Sequence, residues 1–150
     1  MQVNVDTYVL PEDSNRYLSE VLPSSNALRV AWEVLTDEEK TGYLLAAMRR
    51  LENLNYAGER VWYYQPLKFP RIARNHPPQF DSAPDAVKRA QVVWAAEILR
   101  EEMFLKRRNT DACLALGFIS SADQGATTET HTPKRVTELL HRWLTSWRRV

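Results

Sequence analysis

The residues of this 150-residue chain that could hold a metal ion or act as a nucleophile are few and widely spaced. Its histidines, His76, His131 and His141, and its single cysteine, Cys113, show no paired spacing such as CxxC or HxxxH, which zinc sites typically need. No Ser or Cys is accompanied by a GxSxG motif, a Cys–His signature or a phosphate-binding glycine loop. We therefore expect no metal, no cofactor and no catalytic residue, and we expect the chain not to be an enzyme.

Two pairs of adjacent carboxylates could in principle carry acid–base chemistry. Glu38 and Glu39 follow a threonine that can cap a helix, and Glu101 and Glu102 lie among basic residues of a long helical stretch. Acids at a helix start interact favourably with the positive end of the helix dipole, and mixed charges on a helix face form solvated ion pairs. We therefore favour a structural interpretation of both pairs over a catalytic one.

Basic side chains form three clusters, and these are the strongest candidates for ligand binding. The members are Lys68, Arg71 and Arg74, then Lys106, Arg107 and Arg108, and finally Lys134, Arg135, Arg142, Arg148 and Arg149. Basic residues that alternate with aromatic ones are typical of proteins that stack single-stranded bases along a charged groove. However, Trp143 and Trp147 fall on the apolar stripe of a C-terminal helix, which favours packing against protein. Such a helix could also attach to a membrane surface, but docking on protein is commoner and is our expectation.

The bulk composition favours one domain without a strong electrostatic preference. The 20 basic and 19 acidic residues leave a net charge of +1, which points neither to a nucleic-acid protein nor to a binder of acidic substrates. A single cysteine excludes an internal disulfide and suits a reducing compartment. Because the sequence starts without a signal-peptide pattern and contains no run of about 18 apolar residues, we expect a soluble, untargeted protein that does not bind membranes.

Helical periodicity predicts a pair of short helices and then a longer helix in the N-terminal half. Ser14 and Ser25 are expected to cap the two short helices, which Pro23 separates. Thr36, followed by three acids, matches a capping box, after which apolar residues recur at steps of three and four. This third helix should run for about five turns and end at Gly58, which can adopt a left-handed conformation.

Residues 59–84 contain repeated prolines, which remove backbone donors and disfavour helix. We expect this segment to be extended and loop-like. Its aromatic residues have large apolar areas to bury, so the segment should pack around the helices. These aromatic residues are Trp62, Tyr63, Tyr64 and Phe69.

The C-terminal half is predicted to hold two further helices. Pro84 and Asp85 begin the longer one, with a buried stripe of Val87, Ala90, Trp94, Ile98 and Leu105. Residues 109–132 are rich in small polar residues and predict a flexible loop, with a short β-hairpin or loop near 114–131. Thr132 and Pro133 begin an amphipathic helix that reaches residue 150. The expected fold is all-α: one domain with a helical core at 1–108, the loop at 109–132 and a docking helix at 133–150.

Residues 56–71 carry the most specific motif of the sequence, a helix end with an aromatic-x-Gly turn followed by Gln-x-Leu-x-aromatic-Pro-Arg. The matching residues are Tyr56, Gly58, Gln65, Leu67, Phe69, Pro70 and Arg71. The helix before the motif, LLAAMRRLENLNYAGER, and the helix after it, AVKRAQVVWAAEIL, occur in matching order. The chain therefore resembles the DnaT-like single-stranded-DNA-binding proteins of phages, well over roughly residues 8–119 and more loosely beyond.

That family is in turn similar to the head–tail connector adaptors of tailed phages. The resemblance implies a helical bundle repeated, usually twelve times, as a homo-oligomeric ring beneath the portal protein. It also implies the next neck or tail component on the other face, double-stranded DNA in the channel, and a place in the neck of the virion after synthesis in the host cytoplasm. A structural adaptor is the leading expectation, and a single-stranded-DNA-binding module is the alternative.

The candidate interfaces for these partners are the segment 65–71 and the C-terminal helix. Their residues are Gln65, Phe69, Pro70, Arg71, Arg74, Arg135, Arg142, Trp143, Trp147, Arg148 and Arg149. Arg71 follows a conformationally fixed proline, and its planar guanidinium suits a carboxylate on the long helix or on an adjacent subunit. We therefore expect Arg71 to be an anchor of the assembly.

Overall fold

The computed structural model of the protein describes residues 6–72, 82–115 and 132–144. These ranges contain five α-helices and a two-stranded antiparallel sheet: α1 (Pro11–Val21), α2 (Ala27–Val34), α3 (Asp37–Glu52), β1 (Glu59–Arg60), β2 (Arg71–Ile72), α4 (Asp85–Ala115) and α5 (Lys134–Leu140). The predicted, mostly helical fold is confirmed. Within the described ranges, no helix combines the length and the apolar character needed to cross a membrane.

The first two helices form as expected, but their N-termini differ from the prediction. α1 starts earlier, and Ser14 is a buried residue inside it, whose hydroxyl accepts a hydrogen bond from Nε1 of Trp32 at 3.3 Å. α2 is capped by Asn26 rather than by Ser25. The Asn26 side chain accepts a hydrogen bond from the amide of Leu28, the second residue of α2, at 2.9 Å. Ser14 thus joins α1 to α2 instead of capping α1.

The third helix begins with the predicted capping box. The Thr36 hydroxyl accepts from the Glu39 amide, and the Glu39 carboxylate accepts from the Thr36 amide at 2.9 Å. This bond from the Thr36 backbone lowers the pKa of the Glu39 carboxyl. The helix ends at Glu52, and Gly58 lies beyond it with a φ of 80°. The prediction that the helix ends at Gly58 is therefore wrong, and Gly58 instead forms the turn that leads into β1.

α4 lies at the centre of the core and packs against α1, α2, α3 and α5. Val87, Ala90 and Trp94 are buried as predicted, but Leu105 is 52% exposed. Residues 103–108 of α4 are all exposed. α4 also continues to Ala115, so residues 109–115 belong to a helix and not to the loop predicted at 109–132 or to its hairpin. The rest of that predicted hairpin or loop, 116–131, lies outside the described residues.

Gln91 of α4 ties the N-terminal segment to the bundle and is fully buried. Its side-chain amide donates to the Thr7 hydroxyl at 2.7 Å and to the Leu44 carbonyl at 2.8 Å. Its carbonyl oxygen accepts from the Tyr8 amide at 3.1 Å. Because both ends of the buried side chain are hydrogen-bonded, Gln91 fixes α4, α3 and the N-terminal segment relative to one another.

The C-terminal segment packs on its own domain. Val136 and Leu140 of α5 are fully buried. α5 is shorter than the predicted helix, and Trp143 lies beyond it as a buried residue whose carbonyl accepts from the Ala57 amide at 2.7 Å. The remainder of the predicted helix, 145–150, lies outside the described residues.

Replacing Gln91 with Leu should destabilise the fold at similar side-chain volume. The change leaves the Tyr8 amide buried without its acceptor, which costs about 1–3 kcal/mol. Urea unfolding followed by circular dichroism measures the loss. The control Arg49→Leu makes a polar-to-apolar change at an exposed position of α3 and should shift the unfolding free energy by less than about 0.5 kcal/mol. Equal unfolding free energies for Gln91→Leu and the unchanged chain would contradict the role given to Gln91.

Candidate functional site

The hairpin formed by β1 and β2 carries the central sequence motif. Its strands pair in antiparallel register, Glu59 with Ile72 and Arg60 with Arg71. Gln65 braces the connecting loop: its Oε1 accepts from the Trp62 amide at 3.1 Å, and its Nε2 donates to the carbonyls of Leu67 at 2.7 Å and Pro70 at 3.0 Å. Gln65 was a candidate interface residue, and these bonds give it a role in holding the loop in shape.

Phe69 attaches the hairpin to the core. Its ring makes edge-on contacts with Tyr8, Tyr56 and Trp143, with centroids 6.1, 4.8 and 5.3 Å away. Such contacts between aromatic rings add about 0.5–1.5 kcal/mol each to the burial of their apolar area. Phe69, Pro70 and Trp143 were expected at an interface with other proteins, but all three are buried in the core of their own chain.

Arg71 anchors the hairpin through the main chain. Its guanidinium donates to the carbonyl oxygens of Tyr56 at 3.3 Å, Ala57 at 3.1 Å, Lys68 at 3.4 Å and also Gly58. Within the described residues these carbonyls take the place of the predicted carboxylate on the long helix. Partial burial, and secondarily the positive charge of Arg60, lower the pKa of the guanidinium. A carboxylate partner on another subunit stays a prediction.

Glu52, the last residue of α3, accepts hydrogen bonds from the two segments beside it. Its carboxylate binds the Tyr8 hydroxyl and the Lys68 amide, the latter at 2.9 Å. The Tyr8 oxygen in turn accepts from the Phe69 amide at 3.2 Å, and Lys68 Nζ donates to the Leu54 carbonyl at 2.8 Å. Burial, and then the negative charge of Glu52, raise the pKa of Tyr8 well above its usual range. The base of the hairpin is thus fixed by interlocking bonds.

The loop between the strands exposes three consecutive aromatic residues, which we call the hairpin tip: Trp62, Tyr63 and Tyr64. Their exposed fractions are 62%, 87% and 90%. The two tyrosine rings meet edge-on, with centroids 4.8 Å apart. The expectation that these side chains are buried around the helices is therefore wrong, although Phe69 is buried as expected. Gln65 and Phe69 fix the base of the loop, and the three residues of the hairpin tip project into solvent.

Within the described ranges, a second apolar surface that other residues leave uncovered lies between α2 and α4. This α2–α4 cleft has a volume of about 320 Å³, and its lining residues are Asn26, Ala27, Leu28, Arg100, Met103, Phe104 and Arg107. The four residues from α4 follow the spacing of one helix face. The sequence interpretation did not identify this surface. The adjacent apolar residues Met103, Phe104 and Leu105, which are 41%, 60% and 52% exposed, were the available signal.

The remaining candidates fall into two groups. Arg135 and Arg142 are exposed on the C-terminal segment, and their contact with a partner stays a prediction. Arg74, Trp147, Arg148 and Arg149 lie outside the described residues. The structure therefore offers the hairpin tip and the α2–α4 cleft, and neither was predicted as a surface.

Three carboxylates of the two predicted pairs are engaged in structural contacts. Glu39 belongs to the capping box, and Glu101 lies 3.7 Å from the Arg50 guanidinium. The Tyr43 hydroxyl donates to Glu102 at 2.6 Å, and this bond lowers the pKa of the carboxyl. In the part of the chain that the structure describes, no group of His, Cys, Asp and Glu residues is placed to hold a metal ion.

Comparison with known protein families assigns the chain to one of them. The family described as "Putative DnaT-like ssDNA binding protein" matches residues 1–149. The chain belongs to this family. Searches of curated proteins and of solved structures found no match. The description of the DnaT-like family confirms the first part of the resemblance, and it fits the alternative of a single-stranded-DNA-binding module better than the leading expectation of a neck adaptor.

In this DnaT-like chain, Arg71→Lys should loosen the hairpin from the core. A lysine ammonium keeps the charge but cannot reach several carbonyls at once with a planar fork, so we expect a loss of about 2 kcal/mol in unfolding free energy. Urea unfolding measures this loss, and limited proteolysis should show faster cleavage between residues 59 and 72. Arg60→Lys, at an exposed position on the paired strand, is the matched control and should leave both unchanged. If Arg71→Lys, like Arg60→Lys, leaves the unfolding free energy and the cleavage rate unchanged, the positive charge alone is enough at position 71.

Proposed function

We propose that the protein is a non-catalytic single-stranded-DNA-binding module that uses the hairpin tip to stack bases. The observation that supports this proposal is the projection of Trp62, Tyr63 and Tyr64 from a braced loop, with the two tyrosines almost fully exposed. Base stacking on aromatic rings is tolerant of sequence because every base presents a π-face. The description of the family favours the same ligand.

The charge around the hairpin tip sets what kind of binding it supports. Arg60 is exposed beside the tip, but Glu59 next to it carries the opposite charge. Lys68 and Arg71 already donate to main-chain carbonyls. Phosphate contacts would therefore be few at the tip itself, and stacking would supply most of the affinity there. Each phosphate that is neutralised on a single strand adds about 0.7 to the slope of log affinity against log salt.

Titration of a fluorescein-labelled oligo-dT at low salt, followed by anisotropy, tests the proposal. We expect micromolar binding by the unchanged chain. A stacked base contributes about 1–3 kcal/mol, so the double change Tyr63→Ala and Tyr64→Ala should weaken binding by roughly 30-fold or more. Phe104→Ala removes another exposed aromatic ring, far from the tip in sequence, and should keep the affinity. No anisotropy change with the unchanged chain at low salt would remove this function.

A second candidate function is a structural adaptor in the neck of a tailed phage, forming a ring beneath the portal protein. The α2–α4 cleft favours it, because an uncovered apolar surface rimmed by polar residues is typical of a protein–protein contact site. The exposed Val30 and Val34 of α2 add to the apolar surface of that helix, being 50% and 80% exposed. DNA contact in such a ring would be with backbone phosphates and without sequence readout.

Mass measurement of the purified protein, alone and with its portal protein, tests the adaptor function. The expected result is a monomer or small oligomer alone and a complete ring with the portal, because docking on a preformed ring of sites favours assembly. A portal-independent mass, with no complex detected, would contradict the adaptor function and leave the DNA-binding proposal untouched.

A further inference from the structure

The hairpin tip is a projecting aromatic surface, and the α2–α4 cleft is an apolar recess. We propose that the hairpin tip of one copy of this chain inserts into the α2–α4 cleft of a second copy, so that copies associate head to tail. This contact goes beyond the proposed DNA binding and does not depend on it.

A single chain cannot make this contact with itself. Phe69 at the hairpin base binds the Tyr8 hydroxyl through its amide, and the Tyr8 amide binds Gln91. These two hydrogen bonds hold the base of the hairpin beside Gln91 along the length of α4. The cleft is lined by α4 residues from Arg100 to Arg107, which lie about 14–24 Å further along the helix at 1.5 Å per residue. The tip residues do not line their own cleft, so the complementary surface has to come from another molecule.

The chemistry of the cleft favours aromatic side chains as its occupants. Met103 and Phe104 supply apolar contact area, and Arg100 and Arg107 lie on the same face of α4 one turn to either side. A guanidinium over an aromatic face contributes about 0.5–2 kcal/mol. Among the described residues that line the cleft none is acidic, whereas Glu59 is exposed beside the tip. Insertion of the tip would bring this carboxylate towards the arginines of the partner.

The charges also select the symmetry of the contact. Arg100 is already paired with Glu97 at 2.5 Å, but two copies packed cleft to cleft would bring Arg107 of both copies together, and like charges repel. Insertion of the tip instead pairs two different surfaces. A contact of this heterologous kind leaves one free tip and one free cleft at the ends, so it extends into chains or closes into rings.

The small size of the contact limits its strength. Three aromatic side chains bury about 150–250 Å² each at most, which falls short of the roughly 800 Å² per partner of a stable interface. The volume of about 320 Å³ likewise suits one or two side chains rather than a folded element. Association should therefore depend on protein concentration. Because the same rings would stack on bases, oligo-dT and a second copy should compete for the tip.

The contact is tested with two variants, one with a defective tip and the other with a defective cleft. The tip variant carries Tyr63→Ser and Tyr64→Ser, and the cleft variant carries Met103→Ser and Phe104→Ser. All four positions are exposed, so both variants should fold, which circular dichroism and thermal unfolding verify. Sedimentation velocity over increasing concentration should show a growing mass for the unchanged chain and for the control Leu105→Ser, which changes an exposed apolar residue outside the cleft lining. Either variant alone should stay monomeric.

Mixing the two variants gives the decisive observation. The cleft variant still has an intact tip, and the tip variant still has an intact cleft, so a head-to-tail contact predicts a one-to-one dimer that grows no further. A mixture that stays monomeric while the unchanged chain associates would overturn the proposal, as would association of either variant alone or an unchanged chain that stays monomeric.

Oligo-dT binding separates this proposal from the proposed function. The cleft variant should bind the oligonucleotide like the unchanged chain, and the tip variant should lose both activities. If no variant binds DNA but the mixing result holds, DNA binding fails and the contact between copies stands. If the cleft variant loses DNA binding together with association, a surface shared between DNA and α4 replaces the proposed contact.

Discussion

The Tyr8 side chain and its amide connect the parts of the chain on which the hairpin depends. The hydroxyl donates to Glu52 at the end of α3 and accepts from the Phe69 amide, while the Tyr8 amide donates to Gln91 in α4. All of these groups are largely withdrawn from water, so each bond that is lost leaves an unpaired polar group. The position of the hairpin therefore follows from this small polar network, and packing of Phe69 against Tyr56 and the C-terminal segment completes it.

A fixed base explains why the hairpin tip faces solvent. Gln65 closes the loop with bonds to the main chain, and Arg71 holds the strand that follows. Neither set of bonds involves the side chains of Tyr63 or Tyr64. The fold gains little from these two rings, which suggests that their apolar area serves binding, whether to bases or to another protein.

Local patterns could be predicted from the sequence, and contacts between distant segments could not. The capping box at Thr36 and the start of α4 at Asp85 need only neighbouring residues, and both were correct. Ser14 also has the pattern of a cap, but its hydroxyl binds Trp32 in another helix. The large apolar areas of Trp62 and its neighbours predicted burial. The prediction failed because composition does not reveal that hydrogen bonds of a residue such as Gln65 hold its neighbours in solvent.

The bonds of Arg71 have a consequence for how this segment can evolve. Its acceptors are main-chain oxygens of residues 56–58 and 68, which are present whatever side chains stand there. Mutation can therefore alter Ala57 or the exposed part of the loop without removing an acceptor, while position 71 itself tolerates little. A scaffold of this kind keeps its shape as its recognition surface drifts, so relatives with the same hairpin need not share a ligand.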